Sequence, residues 1–90
     1  MYKVIYDYRV WKEDFEEIDK ASQKIIIKNI EKKLFLEPRK FGKNLRAPFS
    51  GFYKLRVGSY RIIYAIENDT VIIFIIGHRR YVYEKLLKRI

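Results

Sequence analysis

The chain lacks cysteine altogether and has one histidine, His78, among its 90 residues. Without thiols there are no disulfide scaffolds and no cysteine nucleophile, and structural zinc loses its usual ligands. A metal would have to rest on carboxylates alone, so neither a metal nor another cofactor is expected. Glycine (4) and proline (2) are scarce, and no Gly-rich phosphate loop or Ser/His/Asp spacing is present. The longest apolar run, Val71 to Ile76, falls far short of the roughly 18 residues of a membrane span. Met1-Tyr2-Lys3 opens no signal peptide, so a cytoplasmic protein with no membrane partner is expected.

What is present argues for a folded domain. Hydrophobic residues make up 49% of the chain and aromatic residues 17%, too much for a disordered tail. A chain of this length has room for one core, so residues 1–90 are expected to form a single domain. Its charge is uneven. Residues 1–37 balance eight basic against eight acidic side chains, whereas residues 38–90 carry twelve basic and three acidic ones, Glu67, Asp69 and Glu84. The whole net charge of +9 therefore lies in the second part, which points to a polyanionic partner, most often nucleic acid, although an acidic protein would satisfy the same electrostatics.

Periodicity sets the expected order of elements. Tyr2 to Tyr6 is a short β-prone run, with Asp7 placed to cap a helix N-terminus. Trp11, Phe15 and Ile18 recur at helical spacing, with Glu13, Asp14, Glu16, Glu17 and Asp19 expected on a solvated face. Ile26, Ile27, Ile30 and Leu34 mark the inner stripe of a second helix that ends before Pro38, and the short connection suggests an antiparallel helical hairpin. Residues 39–48 read as a basic loop. Beyond it come three strands, about 51–57, 60–66 and 71–76, joined by the two-residue turns Gly58-Ser59 and Asn68-Asp69. A short terminal helix is expected within 81–90. The last strand is apolar throughout, as befits a strand with neighbours on both sides. The expected fold is α+β: a four-stranded antiparallel sheet in the order 1-4-3-2 with the helical hairpin on one face, β-α-α-β-β-β with a short C-terminal helix.

Two groups of residues carry possible chemistry. A two-residue loop at Gly58-Ser59 sets Arg56 opposite Arg61, with Lys54 two residues along on the same face. Like charges in that position are destabilising, and an anion between them removes the penalty. The second group, Gly77-His78-Arg79-Arg80-Tyr81-Val82-Tyr83, leaves the end of the most buried strand, where functional residues tend to gather. Arg suits phosphate, and a Tyr among cations is a candidate base.

The order strand, helix, helix, three strands, with Phe52-Tyr53-Lys54-Leu55-Arg56, Tyr60-Arg61-Ile62-Ile63-Tyr64, Ile76-Gly77-His78-Arg79-Arg80 and Val82-Tyr83, resembles the RelE/ParE superfamily of toxins from toxin-antitoxin modules over essentially the whole chain. The resemblance implies the RelE-like microbial RNase fold. RelE-like members cleave messenger RNA in the ribosomal A site; ParE-like members inhibit DNA gyrase. The RelE branch implies an mRNA interferase, a metal-independent endoribonuclease that blocks translation, with Lys54, Arg56, Arg61, Arg79 and Tyr83 as catalytic residues. Tyr83 and Lys54 are rival bases for the ribose 2′-OH. Arg39, Lys40, Lys43, Arg46, His78 and Arg80 would contact messenger or ribosomal RNA on the 30S subunit. The resemblance also implies a RelB-like antitoxin as partner, and the ParE-like activity remains the alternative.

Overall fold

In the computed structural model, which describes residues 1–90, β1 (Lys3–Tyr6) runs into a turn at Asp7, whose Oδ1 accepts from the Arg9 backbone N–H at 2.9 Å. The helical stretch after this turn is irregular: a wide turn, Val10–Asp14, passes into a tight one, Phe15–Glu17. The wide turn closes from Phe15 N–H to Val10 C=O and so shifts the inner stripe. Phe15 and Ile18 face inward as the spacing suggests, but Val10 is fully buried and Trp11 is 51% exposed. Asp14, expected in solvent, is buried as well.

Helix α1 (Lys20–Asn29) starts at Asp19, which accepts from Ser22 N–H at 3.0 Å, and it continues into a second wide turn, Ile30–Leu34. Ile26, Ile30 and Leu34 are fully buried, each contributing about 1.5–3 kcal/mol relative to exposure. Pro38 does not simply end this helix. It opens α2 (Pro38–Phe41) at a position where its missing N–H costs nothing. The segment 39–48, expected as loop, thus holds α2 and a two-residue strand, β2 (Lys43–Asn44).

β3 (Phe52–Val57), β4 (Tyr60–Glu67) and β5 (Thr70–His78) form the expected meander. Gly58 (φ 56°) and Asn68 (φ 57°) supply the positive φ that the two tight turns require. The β3–β4 register is the one the Gly58-Ser59 loop implies, with Val57 opposite Tyr60, Leu55 opposite Ile62 and Arg56 opposite Arg61. Between β4 and β5 an extra residue, Phe74, is accommodated where Ile63 faces Ile75 and Tyr64 faces Ile73.

The sheet order is β1-β5-β4-β3-β2. The expected four-stranded antiparallel sheet is therefore a five-stranded mixed one: the neighbour order of the four longer strands is as reasoned, but β1 pairs with β5 in parallel and β2 adds an edge. The cause is the path of the helices. α1 begins beside Val57, Gly58 and Tyr60 at one end of the sheet, and Tyr2 N–H donates to Phe35 C=O (2.9 Å) at the other. The segment Lys20–Leu34 thus reverses the chain once, where a helical hairpin would have reversed it twice. β5 is apolar at most positions because it lies between β1 and β4 and is covered on both faces. One face packs Val71, Ile73 and Ile76 against the helices; the other packs Ile63 and Ile75 against Val82 and Leu86 of α3 (Val82–Arg89).

Candidate nucleic-acid interface

Side-chain alternation along β3 sends Tyr53, Leu55 and Val57 toward the helices and Phe52, Lys54 and Arg56 to the opposite face. Arg61 lies directly across from Arg56. The edge strand β2 then sets Lys43 directly across from Lys54. These four cations and Phe41 line a cleft of about 190 Å³. No carboxylate forms an ion pair with any of the four. Arg61 is oriented by its own hairpin: its guanidinium donates to Gly58 C=O at 3.1 Å and Tyr60 C=O at 3.0 Å. An open, unneutralised group of two Arg and two Lys is suited to a phosphate, Arg supplying paired N–H donors and Lys a mobile point charge.

Of the other residues singled out from the sequence, some stand close and some do not. Arg79 N–H donates to Ser59 C=O at 2.8 Å, which ties the end of β5 to the same hairpin that orients Arg61. Tyr83 is half-buried on α3, its ring 6.1 Å from that of Phe49, packed against the apolar cluster of Ile63, Ile75, Val82 and Leu86. It is on the same side of the sheet as Lys54 but does not line the cleft. His78 is separate. Its ring lies 5.9 Å from Tyr60 and 6.0 Å from Tyr81, beside a second recess of about 240 Å³ lined also by Asp14, Glu17 and Lys85. Its Nδ1 accepts from the N–H of exposed Arg80 at 3.2 Å. Arg39 donates to the Tyr53 hydroxyl at 3.3 Å, on the helix side of the sheet. Lys40 stands 3.7 Å from Glu37, and Arg46 is exposed in the β2–β3 connection.

Two features escaped the sequence. Phe41 enters the cleft only because α2 and β2 give structure to what reads as loop. The second is the anchor of α3. The Arg89 guanidinium donates to both oxygens of buried Asp14, at 2.8 and 2.9 Å, and to Phe74 C=O at 3.0 Å, while Asp14 Oδ2 also accepts from Ile76 N–H at 3.0 Å. Lys85 pairs with Glu17 nearby. The partners are 75 residues apart, so only their opposite charges were visible.

Comparison with known proteins bears on the whole arrangement. Toxin RelG of Mycobacterium tuberculosis is 37% identical over 51 residues, a stretch covering 54% of this chain and 59% of RelG. The toxin-antitoxin complex RelBE2 of M. tuberculosis contains a chain that superposes with a TM-score of 0.80 at 28% identity, over 87% of this chain and 91% of that one. A chain of the Escherichia coli RelBE complex gives 0.70 at 21% identity over 87% and 96% respectively, a likeness of fold. Residues 4–83, from β1 to the first turn of α3, match the family described as the ParE toxin of the type II toxin-antitoxin system. Because that match spans most of the chain, the cationic cleft included, the chain belongs to the ParE toxin family of type II toxin-antitoxin systems.

Proposed function

We propose that this protein is the toxin of a toxin-antitoxin pair and acts as a metal-independent endoribonuclease, cutting messenger RNA in the ribosomal A site until a RelB-like antitoxin neutralises it. The observation that carries this reading is the unpaired cation group, Arg56 across from Arg61 and Lys43 across from Lys54. Like charges directly opposed in a ladder cost about 0.2–1 kcal/mol, and a phosphate between them turns that cost into binding energy.

The chemistry needs a base for the ribose 2′-OH, cations around the phosphorane and a charge near the departing 5′ oxygen. Attack by the 2′ oxygen forms a 2′,3′-cyclic phosphate as the P–O5′ bond breaks, and the proton taken from the 2′-OH is made good at the 5′ oxygen by solvent. Arg56 and Arg61 would hold the phosphorane charge, each preorganised contact being worth on the order of 3–4 kcal/mol, and a Lys54 that starts neutral and takes the 2′-OH proton would join them as an ammonium. Arg79, tied to the Gly58-Ser59 hairpin, would stand at the leaving oxygen. Lys54 lines the cleft and Tyr83 does not, which supports Lys54 over Tyr83 as base. Tyr83→Phe should then slow single-turnover cleavage by less than about tenfold, against roughly 10²–10⁴ for loss of a true base.

Primer extension on ribosome-bound messenger RNA tests the reading. Wild-type protein should produce cuts within A-site codons and Arg61→Ala should not. The family match is written for ParE toxins, so inhibition of DNA gyrase by protein–protein contact is the second reading. Intact messenger RNA together with loss of gyrase supercoiling would establish it in place of the first.

A further inference from the structure

Phe41 is the single apolar side chain lining the cationic cleft, beside Lys43, Lys54, Arg56 and Arg61. It is 43% exposed, although an aromatic ring gains by burial and the neighbouring apolar cluster already takes Leu45, Phe49 and Phe52. Its position is not loose. The fully buried Tyr64 donates its hydroxyl to Pro38 C=O at 2.6 Å, pinning the first residue of α2. Phe41 N–H closes the helix onto Glu37 C=O at 3.2 Å, and Gly42 packs so closely on the Tyr64 ring that a Cβ there would overlap the hydroxyl. The next residue, Lys43, enters the sheet opposite Lys54. A π face is therefore held in fixed relation to four cations. The ammonium groups of Lys33 and Lys40 stand over the ring, 5.8 and 5.9 Å from its centroid, at the outer limit of a cation–π contact and so too weakly held to keep a base from displacing them.

We propose that Phe41 is a stacking platform for one unpaired nucleobase of single-stranded RNA, whose adjoining phosphate rests on Lys43, Lys54, Arg56 and Arg61. This rests on the nuclease reading of the cleft and adds a base-contacting residue to it. Every base has a π face, so the platform favours unstacked, single-stranded substrate and tolerates many sequences. An acidic protein segment would satisfy the cations but would leave the ring without a planar partner.

The test is equilibrium binding of a short, labelled single-stranded RNA methylated at every 2′ oxygen, which binds without being cut, beside an abasic strand of equal length. Phe41→Leu should weaken the base-bearing strand between about fivefold and a hundredfold, leave the abasic strand unaffected and leave the salt dependence unchanged. Phe41→Trp should restore or tighten binding, and Arg56→Ala should weaken both strands and flatten the salt dependence. Thermal unfolding controls for folding. Wild-type protein that fails to bind either strand at low salt overturns this proposal and the nuclease reading together. Binding that Arg56→Ala weakens but Phe41→Leu does not overturns the platform alone, as does an equal loss on both strands in Phe41→Leu. Equally tight binding of polyglutamate with the same dependence on Phe41 makes the occupant an acidic protein and overturns it too.

Discussion

Arg56 and Arg61 differ in what offsets their mutual repulsion. Arg61 gives N–H bonds to two carbonyls of its own hairpin, whereas Arg56 is exposed and pairs with no carboxylate. Arg56→Thr, which keeps a strand-favouring side chain, should therefore raise stability by about 0.2–1 kcal/mol. At about 4–8 °C per kcal/mol for a domain of this size, the gain is a few degrees in Tm, read by thermal unfolding. Arg61→Ala should leave Tm nearly unchanged, because lost hydrogen bonds and relieved repulsion oppose each other. A second residue-scale effect lies at Asp7. Arg9 donates to both of its carboxylate oxygens at 2.9 Å and holds the carboxyl below the usual range. A depressed folded pKa adds stability that is complete above the unfolded value, near 4, and is lost as pH falls through the folded value. Asp7→Asn should thus cost stability at neutral pH and progressively less as the solution is acidified, which urea unfolding at pH 7 and pH 3 would show. The cross-strand pair was legible because a two-residue turn fixes register. The separation of His78 from it was not, since the residue added at Phe74 changes which face the end of β5 presents.

At the scale of elements, α3 depends on one buried ion pair. The side chains of Asp14 and Arg89 are 1% and 7% exposed, and breaking such a pair by removing one partner costs about 3–5 kcal/mol. Arg89→Ala leaves Asp14 buried with only the Ile76 N–H, so amides of Val82–Arg89 should lose hydrogen-exchange protection before those of β4 and β5. Protection that falls equally everywhere would mean that α3 and the sheet unfold as one unit. α2 depends on the closeness of Gly42 to Tyr64. Gly42→Ala should be strongly destabilising, and less so in a Tyr64→Phe background, because the overlapping hydroxyl is gone although the ring carbon 2.7 Å from the new Cβ remains. That non-additivity is measurable by a double-mutant cycle. These contacts explain which elements could be read. The meander announced itself through the two-residue turns at Gly58-Ser59 and Asn68-Asp69, which separate β-prone runs that become strands of six to nine residues. β2 has two residues and no alternation to show, and its pairing depends on α2 being held by a tyrosine far along the chain. The wide turn at Val10–Asp14 changes the helical period itself, so a 3.6-residue template put Trp11 where Val10 belongs.

For the molecule as a whole, position in the sequence and availability of charge are different things. Lys85 and Arg89 belong to the cationic part of the sequence but are taken up by Glu17, Glu13 and Asp14. Those acids come from the balanced N-terminal part, so folding neutralises one end of the second part and leaves the cleft uncovered. Lys43, Lys54, Arg56 and Arg61, which line that cleft, have no carboxylate partner of this kind. This predicts how RNA affinity should respond to salt. Each phosphate neutralised on a single strand contributes a slope of about −0.7 in log K against log salt. Lys43→Ala should therefore weaken binding and reduce the slope by roughly that amount, although its side chain lies on a two-residue edge strand. Lys85→Ala removes the same formal charge from a residue already paired and should leave the slope unchanged. Titration of both variants with the methylated RNA strand at several salt concentrations decides it. Equal reductions in slope would mean that the RNA responds to net charge rather than to the cleft, and the cross-strand cations would lose their special standing.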